Sequence, residues 1–345
     1  TVLGYDDIIE ELHGEFCRFL EGGEDRKQAT LPRSFVKTWL GTVAYSIWIS
    51  LPRTEPDEFP PRAIMRTGEM STPTVFSPSS VFVRTEEADD SKMPAVGRPD
   101  ALPSSSASLP ASAGRSSVAM VSLPGHEDYF VDPLYLVGVN IRILIASYVV
   151  GNAMKMIGLI RKTYERNQMM MVLFPEVIPE NFTKVKWTDT EACINRPDNF
   201  TESTFEAGGI GGSTTSRHYD MIIEDDLIYA NKDDFTGREL MPSQDDIDKA
   251  IGWHKLAMSL LVPGIHTKIH NIGTRWAKKD LVQYIRENEP SYVIFERAIT
   301  KDATRYGEPA WPSMYPQRKI EQIYAAQGPY MFATQYLCQP TAPED

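Results

Sequence analysis

Adjacent carboxylates follow a short apolar run in the middle of the chain. Residues 220–226 read DMIIEDD. Carboxylates at the end of a strand in an α/β sheet can hold a divalent cation and orient water, as in a Walker B strand. In this interpretation Asp225 holds Mg²⁺ and Asp226 orients or deprotonates the attacking water. Because three acids run together, a second register with Glu224 at the metal and Asp225 as the base stays open.

A Lys-Thr pair opens an apolar helix directly after a short strand-like stretch. Residues 31–38 read LPRSFVKT. The amino end of a helix attracts phosphate, and a phosphate-binding loop places such a pair there. Lys37 would neutralise the β and γ phosphates, Thr38 would offer its hydroxyl to Mg²⁺, and Ser34 lies in the same nucleotide-binding loop. Together with the acidic strand, this loop indicates hydrolysis of a nucleoside triphosphate.

The loop lacks both glycines of the pattern G-x-x-x-x-G-K-[ST]. Leu31 and Val36 occupy their places. A β-branched valine adopts a positive φ only at a cost, so the loop must turn differently or be strained. We therefore expect weak nucleotide affinity.

Composition limits the classes of protein that fit. The chain has 345 residues, is 42% hydrophobic and carries a net charge of -12. It can bury one large core or two ordinary ones, and any DNA contact must be local, because bulk phosphate neutralisation needs an excess of Lys and Arg. Three distant cysteines fit a reducing cytoplasm. No transmembrane helix or secretory signal is expected, and the missing Met at position 1 suggests a fragment.

The order of predicted elements gives the fold class. Predicted strands cover 27–31, 140–147, 183–187, 203–207, 220–226, 267–273 and 292–296, and predicted helices cover 6–20, 38–51, 152–167, 243–261, 317–326 and 330–337. Strands that alternate with helices predict an α/β protein with a mainly parallel sheet and helices on both faces.

A change in composition divides the chain. Residues 52–125 are rich in Pro and Ser and lack helical or strand periodicity, so we expect a largely disordered insertion there. Residues 1–51 would then hold the leading helix and the phosphate loop, and residues 126–300 the remainder of the nucleotide-binding core. Residues 301–345 are expected to form a helical lid or linker.

Five short strings, read in order, resemble the ATPase domain of tailed-bacteriophage terminase large subunits. They are LPRSFVKT at 31–38, FEAGGIGGSTTSRHYD at 205–220, MIIEDD at 221–226, GTRW at 273–276 and FATQYLCQP at 332–340. The resemblance runs from the leading helix to Asp345, interrupted by the insertion. It implies a P-loop NTPase of the ASCE type. Since the chain ends where that family's nuclease domain begins, no nuclease activity is expected.

The resemblance also implies an activity and its partners. In that family an ATP-hydrolysing, Mg²⁺-dependent molecular motor translocates double-stranded viral DNA into a procapsid. The implied partners are DNA, the portal protein, the small terminase subunit and further copies of the chain in a ring, with no membrane. The implied location is the host cell cytoplasm, with transient attachment to the procapsid portal.

The family's motifs extend the candidate site. Arg33 stands four residues before Lys37, where the family's loop carries an arginine that reaches the γ-phosphate. Thr274 and Arg275 resemble the coupling motif that senses hydrolysis beside the nucleotide.

Three further residues have two interpretations each. Arg217 precedes the acidic strand and resembles an arginine finger given to a neighbouring subunit's ATP; alternatively it pins the loop or pairs with Asp220. Tyr5 and His13 could line an adenine pocket, although core or surface positions are the ordinary alternative.

Two other functions fit the sequence less fully. A helicase-like DNA translocase would need a second motor domain, for which the chain lacks room. A nucleotide-binding, portal-docking or scaffold protein without turnover is suggested by the missing glycines and by Asp226, where many related ATPases carry Glu.

Overall fold

A computed structural model describes most of the chain, in two compact units. The described residues are 8, 10–33, 35–51, 65–66, 69–70, 82–84, 119–122, 129–131, 140–196, 200–212, 217–229, 241–263 and 267–341. The larger unit comprises residues 1–51 and 138–345, and the smaller one residues 52–137. Among the predicted candidates, Tyr5 and Ser34 lie outside the described residues.

Twelve strands occur in the described residues. In chain order they are β1 Arg26–Thr30, β2 Met65–Arg66, β3 Glu69–Met70, β4 Phe82–Arg84, β5 Ala119–Ser122, β6 Tyr129–Val131, β7 Ile143–Ser147, β8 Glu191–Ala192, β9 Phe205–Gly209, β10 Met221–Asp225, β11 Lys268–Gly273 and β12 Val293–Glu296.

The described α-helices all belong to the larger unit. They are α1 Glu10–Glu21, α2 Tyr45–Ile49, α3 Val150–Arg166, α4 Gln168–Leu173, α5 Gln244–Ala257, α6 Leu281–Asn288 and α7 Gln317–Gln335. A π-helical turn over Thr38–Ala44 leads into α2. None of the helices in the described part of the chain has the length and apolar character needed to cross a membrane.

The sheet of the larger unit has the order β12-β1-β11-β10-β7-β9-β8. Every neighbouring pair is parallel except β8 with β9. One strand, β11, separates β1, which precedes the phosphate loop, from the acidic strand β10. This mainly parallel sheet with flanking helices confirms the predicted α/β fold class and is consistent with a P-loop NTPase-like fold.

The two faces of the sheet pack against different helices. On one face Leu144, Ile222 and Ile269 share a buried core with residues of α5 and α6. On the other face the π-helical turn approaches β11 closely at Gly41, and α3 packs along β7 and β9. Because side chains alternate along a strand, neighbouring acids at the end of β10 must point to opposite faces.

The smaller unit contains a five-stranded antiparallel sheet with the order β3-β2-β6-β5-β4. Four of its strands, β2 to β5, fall within residues 52–125, where the composition predicted no strand. The residues between them lie outside the described ranges, and for these the predicted disorder stays a prediction.

Most predicted elements of the larger unit are confirmed to within a few residues. The strand predicted at 183–187 is wrong: Trp187 makes only an isolated bridge to Ala192, and the edge strand is β8. The two helices predicted near the end of the chain correspond to the two halves of α7. These halves meet at a kink where Gly328 has a φ of 79° and precedes Pro329.

Close packing at Gly41 gives a first prediction. A Cβ atom there would lie 2.5 Å from Ile272 Cδ1 and 3.0 Å from Phe16 Cζ, whereas one at Gly252 in α5 would meet nothing within 4 Å. Gly252→Ala is expected to raise the free energy of unfolding by about 0.5–1 kcal/mol through helix propensity. Gly41→Ala is expected to be about 1–3 kcal/mol less stable than Gly252→Ala, because it overpacks the core. Urea denaturation of both variants checks this, and equal stabilities would contradict it.

Candidate active site

Lys37 and Asp226 meet at the carboxyl edge of the sheet, although 189 positions separate them. The Lys37 ammonium donates to Asp226 Oδ1 at 2.7 Å and also to the hydroxyl of Thr274, which directly follows β11. Parallel strands deliver all three residues to the same edge. The structure therefore joins the predicted phosphate loop, acidic strand and coupling motif in one cluster.

The second carboxylate, Asp225, is bound by hydroxyl groups. Thr38 Oγ1 donates to its Oδ2 at 3.0 Å, and Thr42 Oγ1 donates to its Oδ1 at 3.2 Å. Burial raises the pKa of Asp225 to about 7, and the charge of Asp226 adds to the rise, whereas Lys37 and the two hydroxyls oppose it. A divalent cation beside this carboxylate would favour its ionised form.

The third acid of the run faces the opposite side of the sheet. Glu224 is fully buried, accepts from Asn271 Nδ2 at 2.9 Å and lies 2.8 Å from Nδ1 of His254 on α5. Nε2 of the same imidazole lies 3.1 Å from Glu289. The register with Glu224 at the metal and Asp225 as base therefore does not fit the structure, because strand alternation turns Glu224 away from Lys37.

Aromatic packing holds the phosphate loop. Phe35 is buried, with its ring 5.5 Å from that of His13 and 5.8 Å from that of Trp311. The backbone N–H of Leu31 donates to the carbonyl of Gly273 at 3.1 Å. Since His13 is fully buried in this cluster, the structure gives it the core position rather than a place in an open pocket.

Val36 takes the conformation that the missing glycine would have taken. Its φ is 59°, in the left-handed region, immediately before Lys37. The sequence left two alternatives, a different turn or a strained one, and the structure has the strained turn. Asp226 also has a positive φ, 46°. In the Lys37–Asp226 contact, therefore, Asp226 itself has a left-handed backbone conformation and Lys37 directly follows a residue that has one.

This strain gives a second prediction. Val36→Gly should raise the free energy of unfolding by about 1 kcal/mol, because strain relief of about 1–3 kcal/mol exceeds the entropy cost of glycine. Val43→Gly serves as the matched control, since Val43 is buried and its φ is not positive, so this change should destabilise the protein. Chemical denaturation measures both. A loss of stability in Val36→Gly would show that the loop is not strained at that residue.

Two predicted nucleotide-binding arginines have other partners in the structure. The Arg33 guanidinium lies 5.4 Å from the centre of the Trp276 ring. Arg275 is buried and its Nε donates to both carboxylate oxygens of Asp280, at 3.0 and 3.1 Å, beside the start of α6. These contacts give both arginines a role in anchoring loops. Their roles toward a nucleotide stay predictions.

Arg217 pins its loop through a residue that the sequence did not suggest. Its guanidinium donates to the buried carboxylate of Glu206, beside a cavity of about 210 Å³. Pairing with Asp220 is wrong, because Arg142 binds that carboxylate at 2.8 and 2.9 Å. About half of the Arg217 side chain stays exposed, 51%, which leaves it accessible to another molecule. Its role as an arginine finger stays a prediction.

The oxygen atoms around Asp225 fit Mg²⁺. Within the described residues no group of three or more His, Cys, Asp or Glu side chains could hold a metal ion. Mg²⁺ does not need such a group when phosphates are present, because it binds through one or two carboxylates, the phosphate oxygens and water. Asp225 and Thr38 supply hard oxygen donors at the predicted place.

Sequence reasoning missed Thr42 and Phe35. Thr42 had a detectable signal: hydroxyl residues recur every four positions, at Thr38, Thr42, Ser46 and Ser50, in a helical segment that is otherwise mostly apolar. That spacing places hydroxyls on one face of a helix. Nothing in the local pattern distinguished Phe35 from an exposed loop residue, because its partners are distant in sequence.

Comparisons with known proteins give little further information. No protein-family model matches the chain, and no curated protein matches it. One similar solved structure is the crystal structure of the HK97 bacteriophage large terminase, with a TM-score of 0.35 and 18% sequence identity. The match covers 58% of this chain and 40% of that chain, so the chain spans less than half of that terminase. At this TM-score the similarity carries no argument for function.

Proposed function

We propose that the chain is a Mg²⁺-dependent ATPase that powers packaging of double-stranded viral DNA into a procapsid. The observation that supports this function best is the cluster of Lys37, Thr38, Asp225 and Asp226 at one edge of a P-loop NTPase-like sheet. An ammonium, a hydroxyl and two carboxylates are the groups that phosphoryl transfer to water requires. All four residues belong to the two motifs that the sequence predicts as a phosphate loop and an acidic strand.

The contacts suggest how hydrolysis proceeds. The Lys37 ammonium is held by Asp226 and Thr274. The oxygens of a triphosphate compete for this ammonium, and its movement frees the Asp226 carboxylate to accept a proton from the attacking water. Asp226 is partly exposed, with 32% of its side chain accessible, so water can reach it. When bound, Mg²⁺ would be held by Thr38 and Asp225 and would neutralise charge on the phosphates.

The packaging role comes from the ordered motifs that resemble terminase large subunits. In this proposal the chain acts in a ring at the portal of a procapsid in the host cytoplasm, with the small terminase subunit as a further partner. Arg217, half of whose side chain is accessible, would reach the ATP of a neighbouring copy. The net charge of -12 limits DNA contact to local patches.

Two observations favour nucleotide binding without turnover as a second candidate. Val36 holds a strained backbone beside Lys37, and Asp226 is one methylene shorter than the Glu that many related ATPases use. A displaced loop or a distant base would allow binding and prevent hydrolysis.

Phosphate release separates the two candidates. The chain is incubated with ATP and Mg²⁺ alone, then with linear double-stranded DNA, and then with DNA and procapsids. Turnover above the protein-free rate, increased by DNA and procapsids, is the expected result. ATP binding without phosphate release under all three conditions would favour the second candidate, and the absence of binding would contradict both.

A further inference from the structure

Thr42 is a buried hydroxyl residue in contact with the proposed metal-binding carboxylate. It lies four residues after Thr38 in the π-helical turn Thr38–Ala44, and its side chain is fully buried. Its Oγ1 donates to Asp225 Oδ1 at 3.2 Å, while Thr38 Oγ1 lies 3.0 Å from Oδ2 and 3.2 Å from Oδ1 of the same carboxylate. Asp225 is therefore held from two successive turns of one helical segment.

The hydroxyl of Thr42 is buried and therefore needs a hydrogen-bond partner. Its neighbours Leu40, Gly41 and Val43 are buried in the same turn. A valine at position 42 would fill nearly the same volume without placing a polar group in the core, which costs free energy unless the group is hydrogen-bonded. The hydrogen bond to the Asp225 carboxylate therefore explains why position 42 carries a hydroxyl group.

Rotation of the carboxylate is the property that this contact controls. The last torsion of an aspartate side chain is broad and weakly restrained, so packing alone does not fix the plane of its oxygens. The Thr38 hydroxyl lies within hydrogen-bond distance of both carboxylate oxygens of Asp225, but it has only one proton to donate. The Thr42 hydroxyl supplies a second proton at Oδ1, so both oxygens can have a donor at the same time and the plane of the carboxylate is fixed.

We propose that Thr42 is a positioning residue for the metal site: it orients Asp225 so that Asp225 and Thr38 present their oxygens to one Mg²⁺ bound with the nucleotide. This inference rests on the proposed function. Groups that orient a metal ligand typically change metal affinity about 10–100-fold when they are removed. A role in packing alone would not change metal affinity selectively.

Mn²⁺ affinity in the presence of saturating ADP tests the inference, with free Mn²⁺ measured by electron paramagnetic resonance. Thr42→Val keeps the shape and removes the hydroxyl, and we expect its dissociation constant for Mn²⁺ to rise at least about tenfold. Thr42→Ser keeps the hydroxyl and should restore an affinity close to that of the wild type. Ser46→Ala is the matched control, because the Ser46 hydroxyl is buried one turn further on and has no partner among the described residues.

A second measurement separates positioning from damage. ADP affinity in EDTA should be the same in the wild type and in Thr42→Val, because Thr42 acts only through the metal; a loss of both affinities would overturn the inference. Unchanged Mn²⁺ affinity in Thr42→Val would overturn it while leaving the proposed function intact, as would loss of affinity in Thr42→Ser. If the wild type binds no Mn²⁺ with ADP, both proposals fail. If thermal melting shows that Thr42→Val does not fold, Thr42→Ala is judged by the same criteria.

Discussion

Asp226→Asn is expected to lower ATP turnover about 10²–10⁴-fold, the usual contribution of a general base. The amide cannot accept the proton of the attacking water. The substitution is also mild for the backbone, because Asp226 has a φ of 46° and Asn is one of the few residues that adopt this region readily. A loss of turnover therefore reports on the carboxylate rather than on a distorted loop. Phosphate release at saturating ATP measures it.

Nucleotide binding provides the internal control for this variant. Asp226→Asn should still bind ATP, because the loss of the Lys37–Asp226 pair leaves the ammonium free for phosphate. Asp248→Asn, the same exchange at an exposed position of α5, should leave turnover unchanged. Wild-type turnover in Asp226→Asn would mean that another group takes the proton, and the assignment of the base would be wrong.

His254→Ala is expected to lower the free energy of unfolding by about 3–5 kcal/mol, the usual loss when one partner of a buried ion pair is removed. His254 is fully buried between Glu224 on β10 and Glu289 after α6. Without the imidazole, Glu224 stays buried with only the Asn271 amide as a hydrogen-bond donor among its described contacts. Urea denaturation at neutral pH measures the loss.

The same pair makes stability depend on pH. Burial alone would lower the pKa of His254, but Glu224 and Glu289 raise it from 6.5 to about 10. A raised pKa in the folded state means that the charged imidazole stabilises the fold fully below pH 6.5. This contribution is lost as the pH rises through about 10. The difference in stability between the wild type and His254→Ala should therefore shrink at alkaline pH.

Two further variants test whether the stability loss in His254→Ala comes from the buried ion pair. His218→Ala removes an exposed imidazole and should change stability by less than about 0.5 kcal/mol. Adding Glu224→Gln to His254→Ala removes the unpaired buried charge and should recover part of the loss. A double variant less stable than His254→Ala alone would contradict the ion-pair explanation.

The order of elements could be predicted because most strands of the sheet carry their own local signal. The apolar runs of β7 and β10 and the Ser243 cap of α5 appear directly in the sequence, and the structure shows a capping box between Ser243 and Asp246. The edge strand β8 could not be predicted. It has only two residues, and its pairing with β9 is determined by tertiary packing rather than by local sequence.

The candidate site was predictable in part for the same reason. Its four central residues belong to two motifs whose residue types and spacing are typical of phosphate binding: Lys37, Thr38, Asp225 and Asp226. The contacts of Glu224 with His254 and of Arg217 with Glu206 join residues from different parts of the sequence, and no local pattern indicates them. Strand alternation assigns Glu224 and Asp225 to opposite faces, but the face that meets Lys37 is decided only once α5 and the π-helical turn are placed.

Calorimetric titration with a non-hydrolysable ATP analogue and Mg²⁺ tests whether Lys37, Thr38, Asp225 and Asp226 form one nucleotide site. The titration compares the wild type with Lys37→Ala. We expect one site per chain in the wild type and affinity at least about 100-fold lower in Lys37→Ala, as for removal of a charged group that binds phosphate. Lys279→Ala, an exposed lysine after β11, should bind like the wild type. No binding by the wild type, or equal affinities for the wild type and Lys37→Ala, would contradict the site.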